Sequence, residues 1–233
     1  MQRVCPSRFA PDQSVRQPAD AQVNGFWWWT WGPTRTALPD TNLCIAISGW
    51  ADPGIALKCC ARIRDDLPGS KYISLGGDDS SGAFTQRNLT SITRAIDAGA
   101  FAGYDGIAFD VEQGEAGLEP YFEQAFAAAK AGNHKVLVTV SQSAPYGIAD
   151  GDALMQSFFA DANIDYLSPQ LYASGREKSN DYQSSNAVRW AEYATAMAAV
   201  VPSIVDANLY RDAQNYFQLH GVTLSGFIQW RQT

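Results

Sequence analysis

The stretch YDGIAFDVEQG, residues 104–114, sets Asp105, Asp110 and Glu112 among the apolar residues Ile107, Ala108, Phe109 and Val111. The apolar residues read as a buried strand, and a carboxylate carried into such surroundings needs a partner or must keep its proton. Side chains two apart on a strand point the same way, so Ala108, Asp110 and Glu112 share one face. Two acids held that close repel each other, which raises the pKa of one and suits it to give a proton near neutral pH. The pair therefore points to general-acid chemistry, with a structural salt bridge as the competing reading. Asp105, near the strand start, is read as fixing the backbone.

A strand of this kind must belong to a set, and the chain supplies one. Short apolar runs recur at 23–29, 43–49, 71–77, 104–112, 135–142, 164–172, 202–210 and 225–230. Several are almost continuously apolar, as strands covered on both faces are. Helical patterns fall between most of them: SITRAIDAGAF, LEPYFEQAFAAAKAG before a glycine cap, DALMQSFFADA opening on a capping Asp, and NAVRWAEYATAMAAV closing at Pro202. Strand and helix alternating eight times predicts an α/β fold, a single-domain (β/α)8 TIM barrel over residues 23–233, preceded by an N-terminal extension at 1–22. Pro33 and Pro39 in the short segment between the first two runs predict a shortened first crossover. A doubly wound open sheet is the structural alternative, but no glycine-rich phosphate loop follows any strand.

In such barrels chemistry sits at the C-terminal ends of the strands. Those ends carry Asp110 and Glu112, Gln142, Gln170 and Tyr172, Asn208 and Tyr210, and Trp230, while Trp27, Trp28, Trp29, Trp31 and Trp50 crowd the first two. Acids, amides and aromatics around one mouth suit a neutral polyhydroxylated ligand such as a sugar. Gln142 is read equally as a surface amide, and Trp27 to Trp29 as core before sugar contact. The only histidines, His134 and His220, each precede a strand and so belong at the opposite end. That placement argues against a Ser-His or Cys-His nucleophile and against a histidine-ligated metal. No metal or cofactor is expected.

Composition agrees with an ordinary globular chain: 233 residues, 46% hydrophobic and 18% charged. The net charge of −7 gives no electrostatic footprint for nucleic acid or anionic lipid. No apolar run approaches the ~20 residues of a membrane span. The N-terminus lacks the apolar core of a signal peptide, so none exists or it precedes this numbering. Cys5, Cys44, Cys59 and Cys60 fit no zinc spacing and read either as thiols or as one or two disulfides.

DGIAFDVE at 105–112 resembles the DGxDxDxE signature of glycoside hydrolase family 18, the chitinase family. SLGG at 74–77 is similar to that family's SxGG, DYLSPQLY at 165–172 to the Gln-x-Tyr segment of plant class III chitinases, and GFIQW at 226–230 to the eighth-strand ending. The resemblance implies retaining, substrate-assisted hydrolysis of β-1,4-linked N-acetylglucosamine, an exception to the two-carboxylate scheme. It implies Glu112 as proton donor, Asp110 as holder of the acetamido nitrogen, Tyr172 on the acetamido oxygen with Gln170 beside it, and Trp230 under the sugar. Gln142, Asn208, Tyr210 and Trp31 become further substrate contacts. The partner is then an oligosaccharide containing N-acetylglucosamine, and the location secreted or extracytoplasmic. Ala108 departs from the signature, which has an aspartate there. Its absence implies an Asp110 that ionises more readily and a weakened hydrolase, with a catalytically silent chitooligosaccharide-binding lectin as the alternative.

Overall fold

A computed structural model describes residues 22–29 and 40–231. Trp31, Cys5, residues 1–21 of the expected extension and most of the first crossover lie outside the described residues. The strands are β1 (Val23–Trp29), β2 (Leu43–Ile47), β3 (Ser70–Gly76), β4 (Gly106–Val111), β5 (Lys135–Ser141), β6 (Tyr166–Gln170), β7 (Ala199–Val200), β8 (Ser203–Ile204) and β9 (Gly226–Gln229). All pair in parallel, from β1 through β6 to β8, β9 and back to β1. The sheet is closed. β7 and β8 both pair with β6 and together fill the seventh of eight positions, the gap between them falling at Val201 and Pro202. Proline has no N–H to give a ladder, which accounts for the break. The chain is a (β/α)8 TIM barrel.

The outer layer is α1 (Pro53–Cys60), α2 (Gln86–Asp97), α3 (Glu119–Ala131), α4 (Gly151–Ala160) and α5 (Tyr210–Leu219). Their starts follow the local chemistry: Asp52 accepts from the Ile55 N–H at 2.9 Å, and Thr85 and Asn88 cap α2 reciprocally. α4 begins at Gly151, one residue before the Asp152 expected to cap it, and Asp150 instead accepts from the Gly117 N–H at 2.7 Å.

Two expectations are corrected. NAVRWAEYATAMAAV forms no α-helix but a 3₁₀ segment, Trp190–Thr195, followed by β7. Asn186 and Ala187 take left-handed φ of 49° and 58°, and Trp190 and Tyr193 sink into the core at the i, i+3 spacing that a 3₁₀ turn brings to one face. The seventh strand ends at Ile204 rather than continuing to 210, because Asp206 accepts from the Asn208 N–H at 3.1 Å and turns the chain.

Two separate cores follow from the alternation of strand side chains. On β4, Ile107, Phe109 and Val111 face outward to the helices, packing with Phe84, Phe122, Phe126 and Phe158. Ala108 faces inward, in a luminal cluster with Trp27, Ile45, Tyr72, Leu137, Val201 and Ile228. No helix among the described residues is long and apolar enough to cross a membrane.

Candidate active site

Asp110 is the last inward residue of β4 and Glu112 follows just past its end, so the acids meet where the lumen opens. Gly76, paired with Asp110 across β3 and β4, makes this possible. A Cβ there would collide with the Asp110 carbonyl oxygen and the Phe84 ring, and its φ of +99° is one that glycine alone adopts readily. Asp110 is 8% exposed and Glu112 half-buried.

One amide holds both acids. The Gln170 Nε2, from the end of β6, donates to Asp110 Oδ1 at 3.0 Å and to Glu112 Oε1 at 3.2 Å, with Thr139 Oγ1 of β5 at 3.5 Å. A neutral amide supplies hydrogen bonds but no compensating charge. Burial accordingly pushes the Asp110 carboxyl well above the usual carboxylate range, and repulsion from Glu112 pushes it further. Glu112 is also raised, first by burial, against the Gln170 hydrogen bond that favours its ionised form, with Asp78 adding repulsion. The two carboxyls titrate as a unit.

Across the mouth from the acids runs an aromatic wall. The Trp230 ring centroid lies 5.5 Å from Tyr172, 5.2 Å from Trp29 and 6.2 Å from Trp27. Trp27 Nε1 donates to Ser203 Oγ at 2.7 Å, and Ser203 Oγ lies 3.0 Å from the Tyr172 hydroxyl. Either hydroxyl can give the proton of that pair, and Ser203 Oγ also lies 3.5 Å from the Ile228 carbonyl; when Ser203 donates to Tyr172, the tyrosine O–H is left to give its own hydrogen bond. Burial keeps Tyr172 protonated, its pKa well above the usual tyrosine value.

The other predicted contacts stand elsewhere. Gln142, at φ +54°, turns its amide to Gln183 Oε1 at 3.4 Å and not to the acids. Asn208 is exposed on the 3₁₀ turn after β8 and hydrogen-bonds none of the site residues. Tyr210 opens α5 in the helix layer, its ring tilted against Phe227 with centroids 4.9 Å apart and its hydroxyl accepting from Gln22. Both lie away from the mouth because the chain leaves the strand at Ile204, six residues before the expected end at Tyr210, and strand periodicity does not hold beyond it.

Ser203, Thr139 and Asp78 were not anticipated. Thr139 was readable as the inward polar position of KVLVTVSQ, and Asp78 as the residue after SLGG. Nothing in the sequence pairs Ser203 with Trp27, 176 positions away. Asp105 holds the strand start as expected, accepting from the Lys71 N–H at 2.7 Å. Cys44, Cys59 and Cys60 form no disulfide, and burial pushes the Cys44 and Cys60 thiols up to about 12, away from nucleophilic use. No group of three metal-ligating side chains occurs among the described residues.

Neither a protein-family model nor a curated protein matches the chain.

Proposed function

We propose that the chain is a glycosidase of the family 18 type, hydrolysing β-1,4-linked N-acetylglucosamine oligosaccharides with retention. The observation that carries this reading is the acid pair: two carboxyls on one strand end, under one amide, with burial raising the pKa of both.

In this reading the sugar to be cleaved lies on Trp230, and the buried Tyr172 hydroxyl hydrogen-bonds its acetamido oxygen. Glu112 gives its proton to the glycosidic oxygen while that acetamido oxygen attacks C1. The C1–O bond breaks, the leaving sugar departs with the proton as an alcohol, and a cyclic oxazolinium remains. Asp110 accepts the hydrogen bond of its N–H. Glu112, now a carboxylate, takes a proton from the water that opens the ring at C1, which restores the acid and retains configuration.

A second reading has its own observation. Ala108 lies in an apolar lumen beside Trp27, so the mouth is not simply a signature lacking one acid. A lectin that binds chitooligosaccharides without turnover uses the same wall. Incubation with chitooligosaccharides of increasing length separates the two. The hydrolase reading expects shorter products from the wild type, and their loss by about 10²-fold or more in Glu112→Gln with binding kept. Binding without turnover in the wild type transfers the conclusion to the lectin, and wild-type turnover in Glu112→Gln removes Glu112 from its role.

A further inference from the structure

The chain after Tyr172 folds back on itself through one side chain. Glu177 Oε1 accepts from the Ala173 N–H at 3.0 Å, the Ser174 N–H at 2.6 Å and the Ser174 hydroxyl at 2.9 Å. Ser174 Oγ accepts in turn from the Arg176 N–H at 3.3 Å. A serine whose N–H is taken by a glutamate three residues later is the arrangement that opens a helix. Here no helix follows, and the next helical turn begins only at Trp190. Burial would raise the Glu177 carboxyl, but the backbone donors and the Ser174 hydroxyl outweigh it and bring it down to about 2. The staple is therefore charged at any pH near neutral.

What the staple holds is the edge of the aromatic wall. Gly175, buried at the tip of the folded segment, takes a φ of +71°. A Cβ on it would stand 2.0 Å from Trp230 Nε1 and 2.4 Å from Trp230 Cδ1. Backbone thus lies directly against the pyrrole edge of the indole, and glycine alone permits both the φ and the approach. At the other end of the segment, the Ala173 N–H that Glu177 takes belongs to the peptide joining Ala173 to Tyr172, whose ring centroid is 5.5 Å from that of Trp230. The Glu177 charge also reaches the phenol, adding to the burial and to the charges of Asp110 and Glu112 that keep Tyr172 protonated.

The wider loop is pinned at its far end. The Asp181 N–H donates to the Leu171 carbonyl at 2.8 Å, and the buried Asn180 amide donates to the Leu209 carbonyl at 3.0 Å and to Asp212 Oδ2 at 3.1 Å. Between these pins and Tyr172, the carboxylate of Glu177 gathers the segment into a shape that keeps Gly175 on the indole.

We propose that Glu177 is a positioning residue for the sugar-binding wall, folding residues 173–177 so that Gly175 braces Trp230 and the Tyr172 peptide stays fixed beside it. Glu177 itself touches neither Asp110 nor Glu112 and has no part in the proton transfer. The proposal rests on the sugar-binding reading above, whether hydrolase or lectin.

The test measures chitotetraose binding by titration calorimetry in Glu112→Gln, where turnover does not consume the sugar. Adding Glu177→Ala should raise Kd roughly tenfold, because binding must then order two side chains that the staple otherwise holds in place. Glu177→Gln keeps an acceptor oxygen and should recover part of that loss. Gly175→Ala pushes on the indole with the staple intact and should weaken binding as Glu177→Ala does. A smaller folded fraction lowers the number of sites in the titration and leaves Kd where it was, so the readout separates positioning from general damage. In parallel, the indole ¹⁵N–¹H signal of Trp230, identified by its loss in Trp230→Phe, should shift or broaden in Glu177→Ala while that of Trp50 stays. An unchanged Kd or an unmoved Trp230 signal in Glu177→Ala overturns the brace and leaves the sugar reading standing. A parent protein that binds no chitotetraose overturns the sugar reading, and the role of Glu177 falls with it.

Discussion

The barrel buries carboxylates at both ends and treats them in opposite ways. At the N-terminal end Asp165 accepts from Lys130 Nζ at 2.8 Å, from Lys135 Nζ at 2.9 Å and from the Val136 N–H at 2.9 Å. Burial alone would push this carboxyl up, but the two ammonium groups and the backbone donor outweigh it and hold it below the usual range. At the C-terminal end Asp110 and Glu112 share one neutral amide and, among the described residues, no cation, and both are pushed up. An acid given every partner it needs fastens the fold. Acids left short of partners are pushed up in pKa, which favours the protonated form that a general acid needs.

The largest effect that would sharpen this contrast comes from adding a third acid at the poor end. Ala108→Asp puts a carboxyl among buried luminal side chains where the neighbouring strands offer neutral hydroxyls such as Ser74 and Ser168 but apolar bulk on the other sides, and thermal or urea unfolding should show a loss of roughly 3 kcal/mol. A stable variant with faster hydrolysis would mean that the lumen accommodates the acid and that Asp110 gains a proton partner.

Next in size is the removal of the well-served acid. Asp165→Asn leaves Lys130 and Lys135 without their counter-charge and should cost about 2 kcal/mol, less than a fully buried pair because Lys135 is half exposed and screened. Chemical denaturation measures it, and a neutral result would place the pairing among the surface ion pairs that contribute little.

A smaller effect separates the two ends by pH. Asp165, with its folded pKa lowered, contributes stability above its unfolded value near 4 that is lost as pH falls through the folded one. Asp110 and Glu112, with folded pKa values raised, contribute most below the unfolded value and lose that contribution as pH rises. Asp110→Asn should therefore gain stability relative to wild type between pH 4 and 8, by about 1.4 kcal/mol for each unit of raised pKa it removes. A difference that shrinks with rising pH would reverse the assignment. Smallest of all, Asn208→Ala should change unfolding free energy and oligosaccharide binding by less than about 0.5 kcal/mol, as an exposed turn side chain does.

The contrast between the two ends was only half visible beforehand. Asp110 and Glu112 announce themselves because acids two apart in an apolar run violate the local pattern. Asp165 does not: its cations come from α3 and from the start of β5, 35 and 30 residues earlier, and no local rule links them. Asn208 and Tyr210 show the converse error. IVDANLY reads as a continuing strand, but a side-chain bond from Asp206 ends it.

By itself the sequence determined the barrel, because alternating apolar strands and capped helices leave few ways to bury both faces of a parallel sheet. It also determined that Asp110 and Glu112 share a face, because a strand repeats every two residues. Tertiary structure alone decided the rest. Closure of the ring brought Gln170 onto both acids, Ser203 between Trp27 and Tyr172, and Trp230 opposite Glu112. These are contacts between strands far apart in the chain, set by register and by how bulky side chains fill a closed lumen, and no local pattern encodes them.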